Sequence, residues 1–253
     1  MVTKTRLPKS PPLPSFADGD GNQIHNQILH NLPAQERAVL FPQLELVRLK
    51  THQLLHEPGD TLKSAYFVNS GLVSVLSVFP DGKSVEVGLV GKEGFVGLPL
   101  VAGFHTAPTR AITQIGGSAF RIDGNTLAEI LRECPKLERS LQQFAQIMAM
   151  QVTQIAACNR LHEVNERLAR WLLMSADRVG ENSLALTHEL LSQMLGTRRS
   201  SVTVAAGMFQ KAGIITLARG DVKIIDRRKL EEVACECYRM MLHQIKEWQS
   251  EAT

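Results

Sequence analysis

The residues best equipped for chemistry in this chain of 253 residues are hydrogen-bond donors rather than nucleophiles. Arg198, Arg199, Ser200, Ser201 and Thr203 crowd into one short stretch, LGTRRSSVTVAA. A guanidinium takes guanine O6 and N7 together, while hydroxyls and a helix N-terminus suit phosphate. The chemistry on offer is therefore recognition of duplex nucleic acid. Catalytic groupings are not evident: the histidines are scattered, no His-x-His occurs, and residues 43–125 show no ligand set. His52 and His56 are the closest pair, with no third ligand beside them. An enzyme is not expected. The competing class is a β-roll enzyme or ligand-binding module whose helical appendage serves protein contacts.

Two short helices would position the donors. Thr187 is placed to cap the first, with Glu189 favourable in its first turn. Leu190, Leu191, Met194 and Leu195 give it an apolar face, and Gly196 supplies a sharp turn. Thr197 is read as the cap of the second helix, whose inner face is Val202, Ala205, Ala206 and Phe209. Ser192 is small where the two helices must cross. That spacing is helix-turn-helix geometry. The run from Ile214 to Ile225, interrupted by Arg219-Gly220, predicts a hairpin wing that carries Arg219 and Lys223 to the DNA backbone. Residues 187–229 hold eight basic and three acidic side chains, a local excess of +5 in a chain whose total is +3.

Upstream, turn signals at Pro58-Gly59, Asn69-Ser70-Gly71, Asp81-Gly82, Gly91–Gly94, Gly116-Gly117 and Asp123-Gly124 separate short β-rich runs, the texture of a sandwich or jelly roll. From about residue 125 the period becomes helical. Leu141, Phe144, Met148, Gln151, Ile155, Cys158 and His162 alternate at spacings of 3 and 4, a heptad seam that asks for a partner. A second copy of the chain is the simplest one, and Gln151 would fix the register. A hinge is expected at 161–166, with Asn165 capping the next helix. Residues 229–250 predict a further helix.

Hydrophobic residues make up 44% and charged residues 21%, an ordinary globular balance, and no apolar run reaches bilayer length. The Pro-rich start lacks the apolar core of a signal peptide. Cys134, Cys158, Cys235 and Cys237 show no CxxC pair, so they read as reduced thiols of a cytoplasmic protein. On one helix, Cys235 and Cys237 would point to different faces, and no metal is expected there.

The order of parts, with the motifs T-x-x-x-L, QMLGTRRSSV and LARG, resembles the Crp/Fnr family of bacterial transcription regulators over about residues 23–230. The resemblance implies an α+β fold: an N-terminal β jelly roll of the cyclic-nucleotide-binding kind, a long central dimerisation helix and a C-terminal winged helix-turn-helix. The expected division is a flexible arm 1–22, an effector domain 23–135, a dimerisation helix 136–163, a DNA-binding domain 164–230 and a terminal helix 231–253. It implies a two-fold homodimer on double-stranded promoter DNA, with RNA polymerase as a further partner and no membrane. Nucleotide-binding members carry Gly-Glu in one loop and Arg-Ser later; the matching stretches here are Gly97-Leu98-Pro99-Leu100 and Thr109-Arg110-Ala111. Arg110 keeps the anion-pairing charge. Leu98 and Ala111 replace the carboxylate and the hydroxyl, so ribose would be poorly selected and a cyclic nucleotide is not expected. A third option within the same class is an effector-independent regulator whose pocket is filled by its own side chains, favoured if Leu98 and Leu100 plug the cavity. The family's iron–sulfur branch uses N-terminal cysteines, and residues 1–133 contain none, so no cofactor is evident and the effector is unassigned.

Overall fold

A computed structural model describes residues 21–218 and 220–251. The expected arm 1–22 lies, but for Gly21 and Asn22, outside the described residues.

Two short helices, Gln27–His30 (α1) and Ala34–Leu40 (α2), lead into the strands, with Pro33 preventing one continuous helix. The roll comprises Glu45–Leu49 (β1), Leu54–His56 (β2), Ser64–Val78 (β3), Ser84–Val90 (β4), Phe95–Val96 (β5), a helical turn Leu98–Val101 (α3) and Arg110–Asp123 (β6). Its sheet runs β1-β6-β3-β4, with β2 on β6 and β5 on β3. Two of the expected turns are not turns. Gly71 sits inside β3 at φ 84°, opposite Gly116 and Gly117 inside β6. A Cβ on Gly71 would lie 2.5 Å from the Ile115 carbonyl oxygen. The register slips there, and each long strand bends without leaving the ladder. A glycine with positive φ makes a bulge inside a paired strand as readily as a turn between strands, and this bulge coils the sheet into a roll.

Gly124–Glu133 (α4) is capped by Asp123, which accepts from the Asn125 and Thr126 amides at 2.9 and 3.1 Å. Pro135–Leu161 (α5) then runs 27 residues, with Pro135 in its first turn. The seam along α5 does not await a partner. Leu141, Phe144, Met148, Gln151, Ile155 and Cys158 are all buried within the one chain. Glycines make that approach possible: a Cβ on Gly94 would lie 2.5 Å from the Phe144 ring, and one on Gly88 2.5 Å from the Met148 methyl. Gln151 serves this internal core, where its Oε1 accepts from Arg178 at 3.2 Å. Periodicity showed the stripe; the roll covers its first part, and the later helix Val164–Val179 with the segment around Cys237–Glu251 its last, not a second copy.

His162 and Glu163 are extended, and Val164–Val179 (α6) follows. Its cap is Glu163 rather than Asn165: the Glu166 carboxylate reaches back to the Glu163 amide at 2.8 Å, a capping box. Ser183–Ala185 (β7), His188–Met194 (α7), Arg199–Lys211 (α8), Ile215–Ala218 (β8) and Asp221–Ile224 (β9) complete the second half, with β7 joining the hairpin in the order β7-β9-β8. The terminal helix is two helices, Arg227–Val233 (α9) and Cys237–Glu251 (α10), broken at residues 234–236. Tyr238 donates to Asp177 at 2.7 Å and accepts from Arg227 at 2.7 Å, tying α10 and α9 onto α6.

The two halves also share a buried polar contact. Glu86 on β4 accepts from Ser74 Oγ at 2.5 Å and from Trp171 Nε1 on α6 at 2.7 Å. Burial pushes its carboxyl up to about 7, against the pull of those donors and of Arg170 and Arg178.

Candidate nucleic-acid interface

The helix-turn-helix is built as its periodicity requires. Leu190, Leu191, Met194 and Leu195 of α7 and its turn pack against Val202, Ala205, Ala206 and Phe209 of α8 in one core. Thr187 Oγ1 accepts from the Leu190 amide at 3.2 Å, capping α7. Ser192 at the crossing is buried and turns its hydroxyl onto the Glu189 carbonyl at 2.7 Å. Gly196 takes φ 57° at the turn. Arg167 of α6 donates to the Leu195 carbonyl, satisfying the end of α7 from beneath.

Thr197 does not cap α8. The cap position is Arg198, in extended backbone, with no side-chain hydrogen bond to the helix. The Thr197 amide instead closes the turn onto the Ser192 carbonyl at 3.0 Å. The first turn of α8 thus presents its amides, with Arg198, Arg199 and Ser200 exposed around them and Ser201 half-buried. Such an end favours an anion. Thr203 is exposed, but its hydroxyl donates to the Arg199 carbonyl at 3.0 Å and lies 3.1 Å from His188 Nδ1. Its methyl is the part left for a base. His188 links the two helices here, and nothing in the spacing singled it out. A shape match between one histidine and one threonine 15 positions apart carries no periodic signal.

On the wing, Ala218 pairs with Asp221 around a two-residue turn, and Gly220 has φ 87°. Lys223 on β9 is exposed. Arg219, expected at the wing tip, lies outside the described residues.

The expected effector residues take different settings in the roll. Gly97 caps α3 at φ 117° with Ala65 against it, Leu98 is half-buried, and Leu100 is buried against Gly124. Arg110 is held by Glu57, whose carboxylate accepts from its Nε at 2.9 Å. Ala111 is buried in β6, paired with Val75. One cavity of about 470 Å³ is lined by Leu55, His56, Asp60, Thr61, Lys63 and Tyr66 among others. A second, of about 340 Å³, lies between the roll and α7, lined by Arg110, Gln114, Thr187 and Glu189 among others. Neither is lined by residues 97–100.

Residues 46–134 match the cyclic nucleotide-binding domain family and residues 166–233 the Crp-like helix-turn-helix domain family. A CRP-like cAMP-activated global transcriptional regulator of Mycobacterium tuberculosis is 27% identical over 183 residues, covering 69% of this chain and 80% of the relative. Electron transport regulator A of Shewanella oneidensis is 23% identical over 189 residues, covering 71% and 74%. Among solved structures, FixK2 of Bradyrhizobium japonicum superposes with a TM-score of 0.66 at 15% identity, over 76% of this chain and 98% of that one. The c-di-GMP responsive global regulator CLP of Xanthomonas campestris gives 0.64 at 18% identity, over 76% and 99%. Both share the fold. No helix among the described residues is long and apolar enough to cross a membrane.

Proposed function

The chain belongs to the Crp/Fnr family of DNA-binding transcription regulators, and from that premise we propose that it acts in the cytoplasm as a homodimer, without catalytic activity, reading promoter DNA through α8. The observation that carries this reading is the exposed, side-chain-uncapped start of α8, with Arg198, Arg199 and Ser200 around it, on a scaffold whose inner face is buried. Arg199 is assigned to a base edge; Arg198, Ser200, Ser201, Thr197 and Thr187 to positioning on phosphates; Lys223 and Arg219 to the flanking backbone. RNA polymerase is the partner that the family reading adds.

With the seam of α5 consumed internally, the dimer contact falls to its other face. Ala149, Val152 and Ala156 are exposed there and Ala145 half-buried, at spacings of 3 and 4. Small side chains let two rods approach closely, and Val152 is 39% exposed in the single chain.

The mycobacterial relative is cAMP-activated by its name; here Leu98 and Ala111 take the places of the groups that would hold ribose and phosphate, so cyclic AMP is not the proposed effector. The cavity shared by Arg110, Thr187 and Glu189 supports a route by which an anion on the roll changes the seat of α7.

Footprinting on fragments selected from genomic DNA, with and without metabolite extract, tests the whole reading. A protected two-fold site is expected. Arg199→Ala should then cost about 1–3 kcal/mol on that site and relax its specificity. Equal loss on random duplex would refute the base-reading role.

A further inference from the structure

Four side chains that DNA binding does not use meet at the end of α5. Cys158 and His162 lie one turn apart at its C-terminus, Cys235 sits in the break before α10, and Cys237 opens that helix. Their ligand atoms all lie within 4.8 Å of one another. Cys158 Sγ is 3.6 Å from Cys235 Sγ, and Cys237 Sγ is 3.6 Å from His162 Nδ1. Zinc bonds of about 2.3 Å to sulfur and about 2.0 Å to nitrogen, at tetrahedral angles, put two sulfurs about 3.8 Å apart and sulfur and nitrogen about 3.6 Å apart. Those two separations match edges of one such coordination sphere, and the others lie within 4.8 Å.

The surroundings suit an anionic centre. Glu236 Oε1 lies 3.2 Å from His162 Nε2, the carboxylate–histidine arrangement that turns the other ring nitrogen toward a metal. Gln154 Nε2 donates to Cys237 Sγ at 3.1 Å. Arg167 and Arg170, both buried, stand in the electrostatic field of Cys158. Their hydrogen-bond acceptors are uncharged, the Leu195 carbonyl and the Met174 sulfur, and the Nε of each finds no partner. Glu86, whose carboxyl also feels Arg170, is itself pushed by burial toward its neutral form, and buried guanidinium groups need a countercharge. Three thiolates, one neutral imidazole and one divalent ion carry a net charge of −1 and supply it.

We propose that Cys158, His162, Cys235 and Cys237 bind one zinc ion in a closed tetrahedral site that clamps the segment after the wing onto the end of α5. Three thiolates and an imidazole select zinc over hard cations. Four protein ligands leave no open position, so the ion is structural. Donor atoms this close share a single ion; the ligands of an iron–sulfur cluster are divided among several irons. The clamp spans the extended pair His162 and Glu163, so it fixes the angle between rod and DNA-binding half.

Full-length protein purified under reducing conditions without chelator should contain about one zinc per chain by mass-spectrometric metal analysis. Exchange for cobalt(II) should give the intense visible bands of a tetrahedral thiolate site. Cys235→Ser and His162→Ala should lose the stoichiometric metal, while Cys134→Ser, buried elsewhere, should keep it. Glu236→Gln should weaken zinc affinity about 10–100-fold. If the cysteine variants do not fold, the cobalt spectrum of the unaltered protein decides. The proposal is overturned by folded protein that holds no stoichiometric zinc and gives no tetrahedral cobalt spectrum. A brown iron–sulfur absorption, or a Cys158–Cys235 disulfide in freshly purified reduced protein, overturns it equally.

Discussion

Glu86→Gln should make the protein more stable at pH 8 while changing it little at pH 5. The carboxyl of Glu86 is buried between the roll and α6, and its value is raised from 4.5 to about 7. Between those two values the folded chain holds a proton that the unfolded chain has released. Stability from this group is therefore complete below about pH 4.5 and is lost as pH rises through about 7. The interval corresponds to roughly 3 kcal/mol. Glutamine is neutral throughout and can keep both contacts. Its oxygen accepts from Trp171 Nε1, and its amide group donates to Ser74 once that hydroxyl turns round. The assay is urea unfolding of both proteins from pH 5 to 8.5, read as the difference between them, in which every other titrating group cancels. The variant's advantage should grow across neutral pH toward about 3 kcal/mol. Parallel stability curves, or a variant weaker at pH 8, would refute the claim that an ionised carboxylate is disfavoured there.

Other outcomes follow from the same contacts. Gly94→Ala forces a methyl to 2.5 Å from Phe144 and 2.7 Å from Val90, and should cost about 1–3 kcal/mol in chemical denaturation. Val152→Glu places charge at the centre of the outer face of α5; sedimentation should show a monomer with unchanged circular dichroism, and an intact dimer would relocate the interface. Lys223→Ala should weaken binding to all duplexes alike and reduce the salt slope of log K by about 1 in fluorescence anisotropy titrations.

The helix-turn-helix was legible because its signal is local. Ser192, Gly196, Val202 and Ala205 lie within a few turns of one another, and each residue type has one steric job there. Misreadings arose where one residue type serves two geometries. Gly71 and Gly116-Gly117 look alike as turn punctuation or as a bulge, and only pairing distinguishes them. The stripe from Leu141 to Cys158 was legible as a stripe, but periodicity does not say what covers it; Gly88 and Gly94, some 50 positions earlier, do. The cysteine–histidine cluster was illegible for two reasons. Cys158 and Cys235 are 77 positions apart. The helix expected through Cys235 and Cys237 breaks at 234–236, which lets both sulfurs turn the same way.

The double duty of α5 has a mechanical consequence. With Phe144 and Met148 wedged against Gly94 and Gly88, the rod is keyed into the roll as an axle is keyed into a wheel. It can neither rotate nor slide on its own axis without unseating those side chains. Rod and roll therefore move as one body, and with the angle at His162 and Glu163 clamped, a change in the roll meets the far half through its direct contacts with α6 and α7, not as a twist passed along the rod.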